Sequence, residues 1–319
     1  MLTREDTYRK AFENKNERLK EKQRQYEMML ASAYSSMPRL AEIDREMASV
    51  GANLAVITLS GDMEKLADLK KRSEALALEK KLLLDKTNVP AIEYECELCN
   101  DTGYISGKIC ECIRKEASLV MAEELSKEMP LGQCGFHNFE LKYYPEKTED
   151  GEPCRKKMSE ILNLCQDYVT NFNPESSPNL LFTGGVGLGK THLTLAIVSE
   201  IVKKGFIPVY GSAENIFSVI ENEKFSGVGK GSYDAILNCD LLVIDDLGVE
   251  MATSFTKSVL YNLINTRLLT RKPTIINTNL TMKEIETRYT SRITSRFIGN
   301  YDEQRFSGND IRLQKLMEK

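Results

Sequence analysis

Apolar residues at helical spacing dominate the first 90 positions of the chain. This stretch is rich in Lys, Glu, Met, Leu and Ala, and its breakers before Pro90 are Pro38, Gly51 and Gly61. Apolar positions that recur every three or four residues are typical of amphipathic helices. The pattern therefore predicts a helical domain over residues 1–90.

The second half of this helical region contains a more regular repeat. Ser60, Gly61 and Asp62 predict a turn, after which four leucines follow a heptad seam with Ser73 and Lys80 as its weak positions: Leu66, Leu69, Leu76 and Leu83. Two interpretations remain open. The stripe either packs only within a helical hairpin, or it docks another helix from a partner.

The pattern changes to alternating strands and helices from about residue 130 to the end. Short apolar runs at 179–184, 206–210, 240–246 and 273–279 predict strands, and helical stretches separate them. Such alternation predicts an α/β domain over residues 130–319 with a parallel sheet. Ligand chemistry then belongs at the carboxyl ends of the strands.

Length and charge narrow the class of protein. A chain of 319 residues suggests about two domains. The net charge of −4 implies that any nucleic-acid binding comes from a local patch rather than from the whole surface. The first residues are charged and no apolar run approaches the ~20 residues of a membrane span, so we expect a cytoplasmic protein without a membrane partner.

Two cysteine pairs stand between the helical and the α/β regions. They have C-x2-C and C-x-C spacing and comprise Cys96, Cys99, Cys110 and Cys112. Four thiolates in two short chelating turns suit a structural Zn²⁺ site without an open coordination position. An iron–sulfur cluster or a chance pairing are the alternatives. We therefore predict a zinc-binding segment and linker helix over residues 91–129.

A glycine-rich loop follows the first predicted strand of the α/β region. It has the P-loop spacing G-x4-GKT and comprises Gly184, Gly185, Val186, Gly187, Leu188, Gly189, Lys190 and Thr191. Backbone N–H groups of such a loop surround a β-phosphate in front of the helix N-terminus. Lys190 would reach the β- and γ-phosphates of ATP, and the Thr191 hydroxyl would bind Mg²⁺.

Polar side chains at two later strand ends complete a predicted hydrolysis site. The apolar run 241–244 ends in Asp245 and Asp246, of which the first would hold Mg²⁺ and the second would orient or deprotonate water. The short Asp246 is compatible with slow, regulated hydrolysis. Asn279, at the end of the strand over 273–279, is expected beside the P-loop strand as a γ-phosphate sensor.

Two arginines near the end of the chain are further candidates. Arg292 and Arg296 share a helix face, and Arg296 is predicted to act as an arginine finger in a neighbouring subunit's site. The alternative is that both form ordinary surface ion pairs. Arg312, in the sequence Asp-Ile-Arg, is a second candidate sensor for the nucleotide.

Together these motifs strongly resemble the AAA+ ATPases that load bacterial replicative helicases, the DnaC/DnaI type. The resemblance implies an AAA+ P-loop fold: a parallel sheet flanked by helices, preceded by a helical helicase-binding domain and a small four-cysteine zinc knuckle. It also implies weak ATP hydrolysis that DNA and assembly regulate. His192 follows the P-loop as in that family, and we assign it to the nucleotide-binding stretch as a packing residue.

The same resemblance implies partners and DNA contacts. Such loaders assemble as a spiral on the hexameric replicative DNA helicase, open its ring and place it on single-stranded DNA. Their DNA contacts map onto regions 214–230 and 249–257, with Lys224, Phe225, Lys230, Thr253 and Phe255 as candidates. An aromatic ring can stack a base while lysine meets phosphate. Alternatively, the phenylalanines belong to the core and the lysines are merely solvated.

Two other functions use similar motifs. A transposition helper ATPase of the IstB kind shares the ATPase core, although the long helical start and the four cysteines argue against it. An AAA+ regulatory ATPase that acts on protein alone would leave Phe225 and Phe255 without a role.

Overall fold

The computed structural model describes residues 4–60, 63–87, 89–128, 133–148, 150–226 and 231–318. Its contacts divide the chain into two units. One comprises Glu13–Lys108, and the other comprises Met1–Phe12 together with Ile109–Lys319. None of the helices in the described ranges combines the length and the apolar character that crossing a membrane requires.

Long helices build the smaller unit. They are α1 (Arg4–Ser36), whose first residues belong to the larger unit, α2 (Pro38–Ser60) and α3 (Met63–Asp85). Ile43 and Val50 of α2 and Leu76 of α3 are buried together, and Leu69 and Leu83 pack against them. The heptad seam predicted in this region is therefore confirmed at these leucines. The predicted turn at Gly61 and Asp62 lies outside the described residues.

A short hairpin and a helix follow. The hairpin consists of β1 (Tyr104–Ile105) and β2 (Lys108–Ile109), and the helix is α4 (Glu111–Glu128). The remaining elements belong to the α/β region. They are α5 (Cys154–Thr170), β3 (Asn179–Thr183), α6 (Lys190–Lys203), β4 (Pro208–Ser212), α7 (Ala213–Ser226), α8 (Ser232–Asn238), β5 (Leu241–Leu247), α9 (Ser254–Leu269), β6 (Thr274–Thr278), α10 (Met282–Arg288), α11 (Ser291–Asn300), β7 (Tyr301–Arg305) and α12 (Ile311–Met317).

Strands β3 to β7 form one parallel sheet in the order β4-β5-β6-β3-β7. Consecutive strand residues alternate between its two faces. Leu180 and Phe182 pack with α5 and α6, whereas Leu181 packs with α7, α9 and α11. Helices therefore cover both faces, and the predicted parallel sheet flanked by helices is confirmed.

The sheet order brings the nucleotide motifs together. Strand β6 lies between β3 and β5, so the predicted position of the 273–279 strand beside the P-loop strand is confirmed. One strand was not predicted. Strand β7 has the sequence Tyr-Asp-Glu-Gln-Arg, which lacks an apolar run because an edge strand exposes most of its side chains. It pairs in parallel with β3, from Asn179 opposite Tyr301 to Thr183 opposite Arg305.

Several strand boundaries differ from the prediction. The strand predicted over 206–210 begins at Pro208 and continues to Ser212. Proline has no N–H for the ladder and is tolerated at the first residue of a strand. Strand β5 extends to Leu247, past the two acidic residues, through a register irregularity between Ile244 and Leu247.

Candidate nucleotide-binding site

The P-loop connects the end of β3 to the start of α6. Gly187 and Gly189 have φ values of +74° and +89°, which non-glycine residues rarely adopt. A Cβ atom at Gly187 would lie 2.0 Å from an Asp310 carboxylate oxygen, and one at Gly189 would lie 2.8 Å from the Phe139 ring. Both glycines are therefore required by backbone conformation and by close neighbours.

Lys190 opens α6 and is 6% exposed. Its ammonium group donates hydrogen bonds to the carbonyl oxygens of Gly184 and Gly185 and to Oδ1 of Asn279, each at 2.7 Å. An ammonium has three donors, so the protein uses all of them in this arrangement. Burial lowers the pKa of Lys190, while the carboxylates of Asp246 and Asp245 oppose this shift.

The carboxylate of Asp245 is the most highly connected group of the site. Oδ1 accepts hydrogen bonds from Asn277 Nδ2 at 2.6 Å and from the Thr191 hydroxyl at 3.3 Å. Oδ2 accepts the Tyr210 hydroxyl, whose pKa is raised by burial and by Asp245. Hydroxyl and carboxylate oxygens are the hard ligands that Mg²⁺ prefers, so Thr191 and Asp245 fit a magnesium site.

Asp246 has a different environment from its neighbour. Its φ of +51° lies in the left-handed region, within the irregular part of β5. The side chain reaches the cavity beside Lys190 and Arg312. Loss of surrounding water and the nearby Asp245 raise the pKa of Asp246, and Lys190 and Arg312 oppose this. Asp245 is thus held by hydrogen bonds, whereas Asp246 faces the cavity.

A cavity of about 520 Å³ contains most of the predicted nucleotide site. The predicted residues among those that line it are Val186, Gly187, Leu188, Gly189, Lys190, Thr191, His192, Asp246, Asn279 and Arg312. Gly184 and Gly185 contact this group through their hydrogen bonds to Lys190, and Asp245 does so through Thr191. The structure therefore brings the P-loop, both acids, Asn279 and Arg312 together.

The other wall of the cavity was missed by sequence reasoning. It comes from the segment before α5 and includes Cys134, Asn138, Phe139, Tyr143 and Tyr144, with Tyr210 from β4. The buried Tyr144 hydroxyl donates to the Leu188 carbonyl at 2.7 Å. Aromatic residues clustered before α5 were the one available signal. An apolar, aromatic wall suits the base of a nucleotide.

His192 joins this wall to α6. Its Nε2 lies 3.0 Å from the Gly135 carbonyl oxygen, and its ring lies 5.6 Å from that of Phe139. Burial lowers the pKa of His192, so the neutral ring is favoured. These contacts are those of a packing residue.

The last helix, α12, also contacts the P-loop. The Ile311 N–H donates to the Gly187 carbonyl at 3.0 Å, and Asp310 caps α12 by accepting the Arg312 N–H at 2.8 Å. These bonds place Arg312 at the cavity.

Arg296 lies elsewhere. It belongs to α11, is partly exposed, and is not among the described residues that line the cavity. Ile293 and Phe297 of the same helix are buried in the core. The helix is thus anchored by its apolar face, and the partly exposed arginine is not among the core residues of that face.

The candidate DNA residues form a surface cluster. The rings of Phe225 and Phe255 lie 5.6 Å apart, and Lys224 Nζ lies 5.7 Å and 5.3 Å from their centroids. Phe225 is 70% exposed, whereas Phe255 also packs against the core. Thr253 caps α9 by accepting the Thr256 N–H at 3.1 Å. Lys230 lies outside the described residues.

The four predicted zinc ligands are close together. The sulfur atoms of Cys96, Cys99, Cys110 and Cys112 all lie within 4.8 Å of one another. Zn–S bonds of about 2.3 Å in a tetrahedron require sulfur separations of about 3.8 Å. Small adjustments therefore suffice for zinc, and the all-sulfur donor set fits this metal.

A buried ion pair supports the first cysteine turn. Asp101 accepts the N–H groups of Glu95 and Cys96, each at 2.8 Å, and it pairs with Lys15 of α1 at 2.9 Å. Burial opposes ionisation of Asp101, but these contacts lower its pKa on balance. The chain around Cys96 is therefore fixed by protein contacts as well as by any metal.

Comparison with known proteins shows which families and relatives this chain is similar to. Residues 163–315 match the family model described as IstB-like ATP binding protein. The chain is 27% identical over 219 residues to the phage-like element PBSX protein XkdC of Bacillus subtilis, which covers 63% of this chain and 78% of that protein. It is 27% identical over 175 residues to the replicative helicase loader DnaC of Escherichia coli K12, over 54% of this chain and 66% of DnaC.

A solved structure is also similar. The crystal structure of the DnaC helicase loader superimposes with a TM-score of 0.46 at 25% identity, over 54% of this chain and 98% of that chain. The sequence matches confirm the predicted resemblance over about half of the chain, and they confirm the prediction of an ATP-binding ATPase domain.

Replacing Lys190 tests the phosphate site. We expect Lys190→Ala to abolish detectable ATP binding, because loss of one partner in a buried charged contact costs about 2–5 kcal/mol. Lys203→Ala is the matched control, since Lys203 is an exposed lysine on the same helix that pairs with Glu200. Binding of a fluorescent ATP analogue measures both. Unchanged affinity in Lys190→Ala would contradict the site.

Replacing one cysteine tests the metal centre. We expect the purified protein to contain zinc, and Cys99→Ser to lose it and to expose residues 91–116 to protease, because the metal supplies folding energy to this short segment. Cys154→Ser is the control, since Cys154 lies in α5 and a serine can keep its hydrogen bond to the Ser307 carbonyl. Elemental analysis that finds iron, or no metal in folded protein, would overturn the assignment.

Proposed function

We propose, from the premise that residues 163–315 form an IstB-like ATP-binding domain, that this chain is an ATP-dependent helicase loader. It would bind the hexameric replicative DNA helicase, open its ring and place it on single-stranded DNA. The observation that carries the proposal is the convergence of Lys190, Asp246, Asn279 and Arg312 on one cavity in a chain similar to a replicative helicase loader.

The site supports hydrolysis of ATP through residues of this chain. Lys190 and the P-loop N–H groups would bind the phosphates, and Asn279, which accepts a hydrogen bond from Lys190, would contact the γ-phosphate. Thr191 and Asp245 would hold Mg²⁺, which neutralises phosphate charge when bound. Asp246 orients the attacking water, because its carboxylate faces the cavity instead of the hydrogen-bond network of Asp245.

Arg296 completes the site of a neighbouring copy in this proposal. It is absent from the described lining of its own cavity, and α11 presents it on a partly exposed surface. Positive charge added from a neighbour stabilises the transition state of phosphoryl transfer. Hydrolysis would therefore be weak in isolated chains and faster in a spiral assembly on the helicase.

The helical region is the proposed docking site for the helicase. Large apolar side chains remain exposed on α1 and α3: Met28, Met29, Leu78 and Leu82. Such side chains on amphipathic helices favour the partner-docking interpretation over a self-contained hairpin.

The cluster of Lys224, Phe225 and Phe255 is the proposed contact to single-stranded DNA. An exposed aromatic ring with a lysine ammonium beside it provides a stacking surface and a phosphate contact. Because the overall charge is −4, the attraction to DNA must come from this local cluster. A contact between lysine and phosphate weakens as the salt concentration rises, so DNA binding should weaken with salt.

A transposition helper ATPase is the second candidate. The description of the matching family model favours it directly. The two functions differ in partner, since a transposition helper would act with a transposase rather than with a replicative helicase. An ATPase that acts on protein alone would leave the exposed Phe225 without a role.

Substitutions on α3 test the helicase partner. We expect the full-length chain to co-purify with a replicative helicase, and Leu78→Glu/Leu82→Glu to reduce the complex at least about tenfold, because hot-spot apolar contacts each contribute about 2 kcal/mol. Ala77→Glu is the control: it adds one negative charge, against two in the double variant, at an exposed position on another face of α3. Failure of the unsubstituted chain to bind any replicative helicase would favour the transposition function.

Substitution of Phe225 tests the DNA surface. We expect Phe225→Ala to weaken binding of a fluorescent oligothymidine by about 5- to 150-fold, because stacking contributes about 1–3 kcal/mol per base. Leu269→Ala removes another exposed apolar side chain of the larger unit and serves as control. Equal affinity of the two variants would remove the cluster from the DNA-binding surface.

A further inference from the structure

One acidic side chain beside the nucleotide cavity turns inward. After β5 the chain places Val249 and Met251 in solvent, with 68% and 81% exposure, while Glu250 between them is only 4% exposed. A carboxylate in the interior is costly unless it is hydrogen-bonded. The hydrogen-bond partners of Glu250 therefore indicate the role of its buried carboxylate.

Glu250 joins the end of β5 to the end of α10. Its Oε2 accepts the Gly248 N–H at 2.9 Å, and its Oε1 accepts the hydroxyl of Tyr289. The Arg288 guanidinium donates to the backbone carbonyl of Glu250. Burial raises the pKa of Tyr289, so the hydroxyl keeps its proton and remains a donor. The hydrogen bonds from Tyr289 and Arg288 thus hold the two elements together, and the bond from Gly248 fixes the Glu250 carboxylate on its own segment.

The first of these elements belongs to the nucleotide site. The Val249 N–H donates to the Asp246 carbonyl at 3.3 Å, and Val249 itself lines the cavity. Gly248 allows no side chain, because a Cβ there would lie 2.5 Å from Leu280, the residue after Asn279. A displacement of Asp246 or Asn279 on nucleotide binding would therefore displace Gly248.

The second element leads to the candidate finger. Tyr289 is followed by Thr290, which caps α11 by accepting the Ile293 N–H at 3.4 Å. Helix α11 carries Arg292 and Arg296. A displacement of the α10 end is therefore a displacement of the first turn of α11.

We infer that Glu250 is a positioning residue that couples the nucleotide-facing end of β5 to α11, and thereby to Arg292 and Arg296. The inference rests on the proposed ATP site, but it does not depend on the helicase as the partner. When nucleotide binding moves the end of β5, Glu250 transmits that movement to α11. It thereby fixes the orientation in which this chain presents Arg296 to a neighbouring copy.

The substitutions separate positioning from simple stability. Glu250→Ala removes the side-chain link between Gly248 and Tyr289 and leaves the Arg288 bond to the backbone carbonyl. Glu250→Gln keeps the side-chain link, because an amide can accept the Gly248 N–H and donate to the Tyr289 oxygen. Glu284→Ala is the matched control, since Glu284 forms the capping box of α10 with Thr281 and does not contact β5. It weakens the same helix without touching the link.

Hydrogen exchange of full-length protein, with and without Mg²⁺ and the non-hydrolysable analogue AMPPNP, is the direct measurement. We expect the nucleotide to slow exchange of the amides at 293–300 by about tenfold, the size of one lost buried hydrogen bond. Glu250→Ala should lose this response, while Glu250→Gln and Glu284→Ala retain it. AMPPNP affinity should stay within about twofold in all three.

Turnover gives a second measurement. In the presence of single-stranded DNA, Glu250→Ala should lower kcat for ATP by about tenfold with little change in KM, as expected for an interaction made only in the transition state. An unchanged exchange response in Glu250→Ala, or an equal loss in Glu284→Ala, would overturn the coupling. So would loss of AMPPNP binding in Glu250→Ala.

These results are distinguishable from failure of the proposed function. A chain that binds neither helicase nor DNA would refute the loader, and the exchange response to AMPPNP would still decide the role of Glu250. A wild-type α11 that does not respond to AMPPNP would refute the coupling, whatever the partner.

Discussion

A single buried carboxylate, that of Asp245, fixes the geometry on which the site depends. It accepts hydrogen bonds from Tyr210 on β4, Asn277 on β6 and Thr191 on α6. A buried charge of this kind is tolerated only when such donors surround it. Three elements must therefore meet at the end of β5.

The network extends inward from Asp245 to the first turns of α6. The hydroxyl of Thr194 lies 3.0 Å from Asn277 Oδ1 and 2.9 Å from the Lys190 carbonyl oxygen, so its single proton is shared between the two acceptors. The helix that begins at the P-loop is thus tied to the central strands by polar contacts as well as by its apolar face. This explains why Asn277 and Thr194, both fully buried, are polar in an otherwise apolar layer.

The sequence allowed the motif-bearing half of the site to be predicted, because its chemistry is local. The P-loop, the two acids of β5 and the position of β6 follow from spacing and from the rules of parallel sheets. The aromatic wall could not be predicted this way, since Phe139 and Tyr144 reach the P-loop only through tertiary folding. Strand β7 was missed because its pairing with β3, not its own pattern, makes it a strand. Glu250 resembles any loop glutamate until its burial is known.

The bond between Gly187 and Ile311 has a mechanical consequence. The Asp310 side chain fills the space where a Cβ at position 187 would be, so loop and helix are in direct contact as well as hydrogen-bonded. A displacement of the phosphate loop would therefore be transmitted directly to the start of α12. Its exposed Leu313, Leu316 and Met317 would swing with it, turning a change at the phosphates into a movement of apolar surface.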